Sequence, residues 1–256
     1  MVLKNQIKEI DKKGYLIIDN VFQKNETKKI KSLLEKVLIK RIKSNQNVGH
    51  KDNQVIYNYF LESQYLLKLI HIPKVDKILK KILEPNYVLQ STNAQNRVKK
   101  KIDKNTKLKG EYKIGATWHT DSRYLNNKRL CKGFSYLVII ALDPFTKFNG
   151  PTKFIENSCN NRKKPPRRLN LKYKELIMNE GSVCIMDTGI WHKAGNSTAL
   201  SRWSIFSIYT GWFVKPYFNY KKYTKKNKIK KIYKKLLHDY STPPEFNEVR
   251  GTAVSF

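Results

Sequence analysis

The spacing of apolar residues changes along the chain, from a helical period in the first third to strand-like runs afterwards. A short β-rich run at residues 14–19 opens the pattern, and Asn20 bounds it. A helix is predicted after it, with Asn25 as a candidate N-cap and an end near Arg41. The apolar positions that carry this prediction are Ile30, Leu33, Leu34, Val37 and Leu38.

Two further helices are expected before residue 86. Residues 44–53 are polar and are predicted to form a loop. Leu61, Tyr65, Leu69 and Ile72 then recur on one helical face. Pro73 suits the first turn of a third helix, and Pro85 ends it, because proline lacks the N–H that a helix interior requires.

From Tyr87 onwards the pattern predicts a series of short strands separated by turns. Turn signals occur at Asn149-Gly150-Pro151 and Glu180-Gly181. Such a series indicates a sandwich or barrel, interrupted by loops at 99–109 and 160–171. The predicted strands are 87–98, 117–121, 134–141, 152–155, 182–186 and 203–212.

The whole chain, 1–256, is predicted to form a single domain that is mainly β with flanking helices. Its helical part covers about 1–86 and its β core about 87–216. A basic helical tail follows at about 217–256, with apolar residues from Ile229 to Leu237 and an irregular end after Pro243.

Composition excludes several classes of protein but does not identify a partner. A chain with 40% hydrophobic residues is globular, and no apolar run is long enough for a membrane span. The formal net charge is +32, which nucleic acid or an anionic membrane surface could attract. However, the excess is spread along the chain and is mostly lysine, accompanied by many asparagines and isoleucines. We therefore interpret it as an AT-rich coding bias.

The cysteines are too few and too far apart for a disulfide framework or a structural zinc site. There are three of them, Cys131, Cys159 and Cys184. A reducing compartment fits this usage, and a cytoplasmic location is expected.

The chemistry is carried by Trp118-His119-Thr120-Asp121 and Ile190-Trp191-His192. Residues i and i+2 of a strand point to the same side, so His119 and Asp121 can reach one ion. Two imidazoles and a carboxylate without a thiolate suit Fe(II) and form the facial triad of non-heme iron oxygenases. The other histidines, His50, His71 and His238, are interpreted as ordinary part-buried residues.

Arg202 and Ser204 follow the second histidine on another predicted strand. The planar guanidinium of Arg202 can hold a carboxylate of a 2-oxo acid through two parallel hydrogen bonds. Ser204 lies two residues further, on the same strand face, and could add its hydroxyl. Together with the triad, this pair predicts an oxygenase that uses iron and 2-oxoglutarate.

Five motifs resemble those of the phytanoyl-CoA dioxygenase family, and the resemblance extends from about residue 11 to about 216. They are Trp118 to Asp121, Asn149 to Thr152, Gly181 to Asp187, Trp191 to Ser197 and Arg202 to Ser204. The resemblance implies a double-stranded β-helix (a jelly-roll, cupin-like) core flanked by helices, with Fe(II), 2-oxoglutarate and O2 as metal and cosubstrates. His119, Asp121 and His192 match the iron ligands, and Arg202 matches the 2-oxoglutarate anchor.

The resemblance also suggests secondary roles. Some relatives hold the cosubstrate with a polar side chain from the strand before the His-x-Asp motif, and Asn93 and Gln95 are the candidates here. Related halogenases have a small residue in place of the carboxylate ligand, so Asp121 favours hydroxylation. Arg123, Tyr124 and Trp191 are predicted to line the pocket of a small-molecule substrate, and Arg123 would suit an anionic group.

Two other functions are open at this stage. An oxygenase could act on nucleic acid or protein through the basic surface, with aromatic residues among the lysines stacking on bases. These are Tyr217, Phe218, Tyr220 and Tyr223. A non-catalytic jelly-roll binding protein is the second alternative, and the intact triad with Arg202 argues against it.

Overall fold

The computed structural model describes residues 2–50, 53–98, 117–122, 124–125, 128–166, 172–195 and 201–238. Six α-helices lie in these ranges: α1 (Val2–Lys13), α2 (Lys24–Lys43), α3 (Gln64–Leu67), α4 (Pro73–Ile82), α5 (Lys221–Lys226) and α6 (Lys231–Leu236). Turns of 3-10 helix occur at Tyr59–Glu62, Lys68–Ile70 and Ser158–Asn160.

Twelve strands lie in the same ranges. They are β1 (Tyr15–Ile18), β2 (Gly49–His50), β3 (Asn53–Tyr57), β4 (Val88–Arg97), β5 (Tyr124–Leu125), β6 (Lys128–Arg129), β7 (Ser135–Ala141), β8 (Lys153–Phe154), β9 (Lys174–Glu175), β10 (Val183–Asp187), β11 (His192–Lys193) and β12 (Arg202–Thr210).

Two antiparallel sheets form the jelly-roll core. The larger has the strand order β1-β10-β7-β12-β4-β3-β2, and the smaller has the order β11-β8-β9. A two-stranded hairpin of β5 and β6 accompanies them. The central strand β12 pairs with β7 on one side and β4 on the other, so that Arg202 lies opposite Arg97.

The larger sheet separates two hydrophobic cores, as the alternation along β7 shows. Tyr136, Val138 and Ile140 face the helices, where α2 and α4 pack on the sheet. The intervening residues Leu137 and Ile139 face the smaller sheet. Because successive side chains of a strand point to opposite faces, a strand buried on both sides must be apolar throughout, as β7 is.

Several predicted elements are confirmed, and others are wrong at identifiable places. The strand near residue 15, helices α2 and α4, and strands β4, β7, β10 and β12 occur where they were predicted. Helix α2 begins after Gln23, not Asn25, because the Glu26 carboxylate accepts a hydrogen bond from the Gln23 backbone N–H at 2.8 Å. Helix α1 was not predicted.

The predicted loop at 44–53 is confirmed for residues 44–48 and wrong at its end, where β2 and the first residue of β3 lie. Strand β3 begins with two polar residues: Asn53 lines a cavity, and Gln54 accepts a hydrogen bond from Asn96 Nδ2 at 2.9 Å. The predicted helix at 61–72 is one short α-turn between two 3-10 turns. The tail helix is divided into α5 and α6, and the predicted loop at 99–109 lies outside the described residues.

The predicted strand at 117–121 is also wrong. In its place, His119 forms an isolated bridge with His192. Residues 161–166 are irregular after the 3-10 turn, in agreement with the predicted loop, whose remaining residues 167–171 lie outside the described part of the chain. Strand β9 follows at Lys174–Glu175. None of the helices in the described part of the chain is long and apolar enough to cross a membrane.

We expect Gly181→Ala to destabilise the fold strongly. Gly181 has a φ of +80°, and a Cβ atom there would lie 2.1 Å from the backbone oxygen of Phe22. Left-handed backbone and a backbone clash together should lower the free energy of unfolding by about 3 kcal/mol or more. Gly133→Ala is the control, since its φ is also +80° but the nearest atom, the Tyr136 hydroxyl, is 3.4 Å away. If urea denaturation showed the same decrease in the free energy of unfolding for both variants, the contact with Phe22 would not be the cause.

Candidate metal centre and ligand cavity

The two histidines are placed side by side by their backbones. The N–H of His119 donates to the carbonyl of His192, and the N–H of His192 donates to the carbonyl of His119, both at 2.9 Å. The Asp121 N–H is fixed by the carbonyl of Thr188 at 3.0 Å. A reciprocal backbone pair brings the two imidazole rings together, with centroids 4.3 Å apart.

Side-chain atoms of His119, Asp121 and His192 converge on one point. One potential ligand atom of each residue lies within 4.8 Å of the other two. The Nε2 atom of His192 is 3.5 Å from Asp121 Oδ2, and the Nε2 atom of His119 is 3.9 Å from Asp121 Oδ1. This geometry could hold one metal ion, and the donor set of two imidazoles and a carboxylate fits Fe(II).

Backbone carbonyls orient both rings. The Nδ1 atom of His119 is 2.8 Å from the carbonyl of Thr117, and that of His192 is 2.9 Å from the carbonyl of Ile190. A carbonyl can only accept, so each neutral imidazole carries its proton on Nδ1 and keeps its Nε2 for a metal ion. Sequence reasoning could not identify these partners, because backbone carbonyls have no residue signature.

The charges of the three side chains are coupled. Burial and the neighbouring His192 lower the pKa of His119 below its ordinary value. For Asp121, burial acts to raise the pKa, but the two histidines, His192 above all, lower it overall. Burial acts to lower the pKa of His192, and the Asp121 carboxylate raises it overall. An ionised carboxylate beside a neutral His119 is ready for a cation.

Arg202 lies buried near this group with part of its hydrogen-bonding capacity unused. Its Nη2 donates to the carbonyl of Gly150 at 3.1 Å, and its guanidinium stacks on the ring of Phe145 at 3.5 Å. Among the described residues, its Nε and Nη1 have no hydrogen-bond partner. Burial and the neighbouring Arg97 lower the pKa of Arg202 to about 9. A buried cation with two unpartnered donors fits a carboxylate ligand.

Arg97 is a cavity residue that sequence reasoning missed. It lies opposite Arg202 in the sheet, and its Nη1 donates to the carbonyl of Gly150 at 3.3 Å and also to the carbonyl of Gly195. The turn at Asn149 thus receives hydrogen bonds from both arginines. The available signal was its position on β4, on the same strand face as Asn93 and Gln95.

A cavity of about 360 Å³ connects the triad and Arg202 to the surface. Its deep end is lined by Arg202 and Ile139, which are 3% and 0% exposed. Its mouth is lined by Tyr57 and Tyr217, which are 50% and 46% exposed. The triad therefore lies in a pocket that a small molecule can enter.

The other predicted site residues have different locations. Asn93 and Gln95 line the cavity and bond to each other, the Gln95 Nε2 donating to Asn93 Oδ1 at 2.9 Å. Ser204 is buried opposite Gln95 and is not among the described lining residues. Trp191 is also buried outside the described lining. Arg123 and the Tyr124 side chain lie outside the described part of the chain.

The aromatic run that suggested base stacking is divided between the protein interior and the cavity mouth. Tyr220 is buried, and its hydroxyl donates to Asn58 Oδ1 at 2.7 Å. Tyr223 packs edge-on against Phe60, with ring centroids 5.9 Å apart. Tyr217 and Phe218 line the cavity instead. These four rings therefore do not lie together on one exposed surface.

Comparisons with known proteins agree with the geometry. The sequence matches the family model described as phytanoyl-CoA dioxygenase over residues 10–203. No curated protein sequence matches the chain.

Solved structures share the fold at low sequence identity. HygX from Streptomyces hygroscopicus, with nickel and 2-oxoglutarate bound, has a TM-score of 0.62 at 12% identity, over 84% of this chain and 89% of its own. SnoK, a non-heme alpha-ketoglutarate-dependent carbocyclase from nogalamycin biosynthesis, has a TM-score of 0.60 at 14% identity, over 81% and 83%. SnoN, the epimerase of the same biosynthesis, has a TM-score of 0.56 at 14% identity, over 82% and 83%.

Proposed function

The chain belongs to the phytanoyl-CoA dioxygenase family, and we propose that it hydroxylates an unactivated C–H bond of a small molecule. It is an Fe(II)- and 2-oxoglutarate-dependent oxygenase, so succinate and CO2 are the expected co-products. The observation that carries the proposal is the convergence of His119, Asp121 and His192 beside the buried, incompletely bonded Arg202.

Each residue of the triad has a defined task in this proposal. The Nε2 atoms of His119 and His192 and the carboxylate of Asp121 hold the iron. The carbonyls of Thr117 and Ile190 keep the two rings in the tautomer that presents Nε2. When bound, iron with 2-oxoglutarate and O2 supplies the oxidising chemistry, while the protein provides orientation and a cavity with limited access to water.

Arg202 is the proposed anchor for the distal carboxylate of 2-oxoglutarate. Its unpartnered Nε and Nη1 can donate to two carboxylate oxygens, while Gly150 and Phe145 hold the guanidinium in place. Ser204 and Gln95 remain candidates for an additional contact, because they lie one strand-face position away from Arg202 and Arg97. Asn93, the other candidate, lies one such position further from the arginines.

The cytoplasm remains the proposed compartment. Cys131 is an exposed free thiol and Cys184 a buried one. Free thiols persist in a reducing environment, which supports this location.

We expect Fe(II) and 2-oxoglutarate together to produce a weak visible absorption band in the absence of oxygen. The band is a metal-to-ligand charge transfer that requires both components in one site. Anaerobic titration measures it, with Fe(II) alone and 2-oxoglutarate alone as controls. If no band forms with both components, the proposed function is wrong.

Product mass distinguishes hydroxylation from the reactions named for the structural neighbours, carbocyclisation and epimerisation. The protein is incubated with metabolite pools in air, and succinate release identifies a productive fraction. Hydroxylation adds one oxygen atom to the substrate, ring closure removes two hydrogen atoms, and epimerisation leaves the mass unchanged. A product without added oxygen would replace hydroxylation by one of the other two reactions.

A further inference from the structure

We propose that the outer part of the cavity binds an uncharged ring that carries several hydroxyl groups. This inference rests on the proposed function, because the ring would be the substrate held beside the triad. It extends that function by naming a chemical class, which is shared by sugars, cyclitols and nucleosides. Three features of the outer cavity carry it: an amide wall, an aromatic rim and the distribution of charge.

The amide wall is formed by side chains of β3 and β4. Ser91, Asn93 and Gln95 alternate along one face of β4, and Asn53 of β3 lines the same cavity. The side chains of Gln95 and Asn93 are joined by one hydrogen bond, from Gln95 Nε2 to Asn93 Oδ1. The side-chain Nδ2 of Asn93 and the side-chain Oε1 of Gln95 have no partner among the described residues. Vicinal hydroxyls can both donate and accept, so they match paired amides.

The side-chain oxygen of Asn53 is a second, independent indication that a hydrogen-bond donor binds in this cavity. Its Oδ1 is buried and has no hydrogen-bond partner among the described residues. Buried polar atoms in native proteins are almost always paired, so an unpaired one in a cavity wall calls for a ligand. Asn53 pairs with Arg97 in the sheet and so lies at the inner end of the amide wall, where a hydroxyl on the inner edge of a bound ring would be a donor of suitable size.

The aromatic rim lies at the mouth. Tyr57 and Phe218 have ring centroids 6.1 Å apart, and Tyr217 is held beside them because its backbone N–H donates to the carbonyl of Gln90 at 3.0 Å. Aromatic faces pack on the C–H faces of saturated rings while the hydroxyl edges turn to polar side chains. Tyr57 is the cross-strand neighbour of Asn93, so aromatic faces and amides lie side by side along the cavity and suit a ring that has both kinds of surface.

Charge argues against other substrate classes. Among the described lining residues Asp121 is the sole carboxylate, and as a proposed iron ligand it leaves none for a cationic substrate. The cationic side chains Arg97 and Arg202 lie opposite each other in the sheet, two strand-face positions from Asn93 and its neighbour Tyr57. An acyl chain would bury the amides of Asn53 and Asn93 without partners, which is costly.

The size of the cavity agrees with a small ring. Its volume of about 360 Å³ lies near the lower end of the range for ligand pockets and must also hold 2-oxoglutarate. One ring fits the remaining space better than a coenzyme A ester. In this arrangement Asn93 contacts the substrate, which revises its predicted role at the cosubstrate.

The test measures binding without turnover. Protein loaded with Ni(II) and 2-oxoglutarate is mixed, without oxygen, with methyl glucoside, myo-inositol or uridine, and saturation-transfer NMR measures contact. Decanoyl-CoA and spermidine serve as acyl and cationic probes. We expect at least one hydroxylated ring to bind and both other probes to fail. Preferential binding of decanoyl-CoA or spermidine, or binding of no ring at all, would overturn the proposal.

Variants localise the contact. Asn93→Leu and Tyr57→Leu should each weaken ring binding about tenfold or more, as expected for a lost hydrogen bond or stacking contact. Asn96→Leu is the control for the first, since Asn96 is on the opposite face of β4 and donates to Gln54. Tyr173→Leu is the control for Tyr57→Leu, because the Tyr173 side chain is 43% exposed, close to the exposure of Tyr57, but does not line the cavity. Unchanged binding in both Asn93→Leu and Tyr57→Leu would exclude this site.

The anaerobic absorption band distinguishes failure of the proposed substrate class from failure of the proposed function. If the wild type shows the band but binds no ring, the substrate class is wrong and the proposed function stands. A wild type without the band fails at the proposed function. Asn93→Leu should keep the band, and its loss there would return Asn93 to the cosubstrate and overturn its assignment to the substrate.

Discussion

Replacing Asp121 with alanine is expected to abolish 2-oxoglutarate turnover. Asp121 is the only carboxylate of the three groups that could hold the iron, and it lies 3.5 Å from His192 Nε2 and 3.9 Å from His119 Nε2. Two neutral imidazoles without it offer neither the charge nor the third position that fixes a facial site. Residues that only orient metal ligands already change metal affinity by about 10–100-fold. Because Asp121 would bind the metal directly, we expect its loss to lower Fe(II) affinity by more than about 100-fold.

Two measurements check this result. Calorimetric titration with Fe(II) under nitrogen gives metal affinity, and succinate release in air gives turnover. Ser122→Ala is the matched control, because the neighbouring hydroxyl is buried and unpartnered among the described residues, and its backbone N–H, like that of Asp121, donates to Thr188. A variant with alanine at 121 that consumed 2-oxoglutarate at the wild-type rate would exclude the assigned triad.

Replacing Arg202 with methionine is expected to raise the KM for 2-oxoglutarate by about 100-fold. Methionine keeps much of the volume against Phe145 but removes the charge and every N–H donor. Loss of one partner from a buried, hydrogen-bonded charge pair costs 2–5 kcal/mol, and this interaction is lost in the ground state and transition state alike. The KM should therefore change much more than kcat.

Arg202→Lys tests the geometry of the contact separately from its charge. Lysine keeps a positive charge but lacks the planar fork, so an intermediate KM is expected. Thermal unfolding adds an independent measurement, because 2-oxoglutarate should raise the Tm of the wild type and leave that of Arg202→Met unchanged. An unchanged KM and ligand-induced Tm shift in Arg202→Met would place the cosubstrate carboxylate elsewhere.

The predictable part of the fold is the part whose side chains report burial directly. Strands β7 and β10 are apolar on both faces because each separates the helices from the smaller sheet. Helix α4 has the period of a surface helix and a proline at its start. In contrast, β3 begins with Asn53 and Gln54, whose polarity indicates a loop; its hydrogen bonds come from β4, a partner distant in sequence.

The site also has a part that the sequence predicts and a part that depends on partners distant in sequence. The group of His119, Asp121 and His192, which could hold a metal ion, and the buried Arg202 that lines the same cavity were predicted from the sequence, because metal ions and carboxylates are bound by few residue types. Arg97 was missed although it lies on the same β4 face as Asn93 and Gln95, since a basic residue at a strand end is ordinary until a second arginine lies opposite it.

The sequence alone determined the type of chemistry, because metal ligands and a carboxylate anchor must be particular side chains. It also determined the family and the main strands of the core. The tertiary structure decided what surrounds that chemistry: the carbonyls that orient each imidazole, the two arginines at Gly150, and the wall that Asn53 and Asn93 share. These features depend on strand register and backbone position, and the physical cause is long-range pairing, which no local pattern of residues encodes.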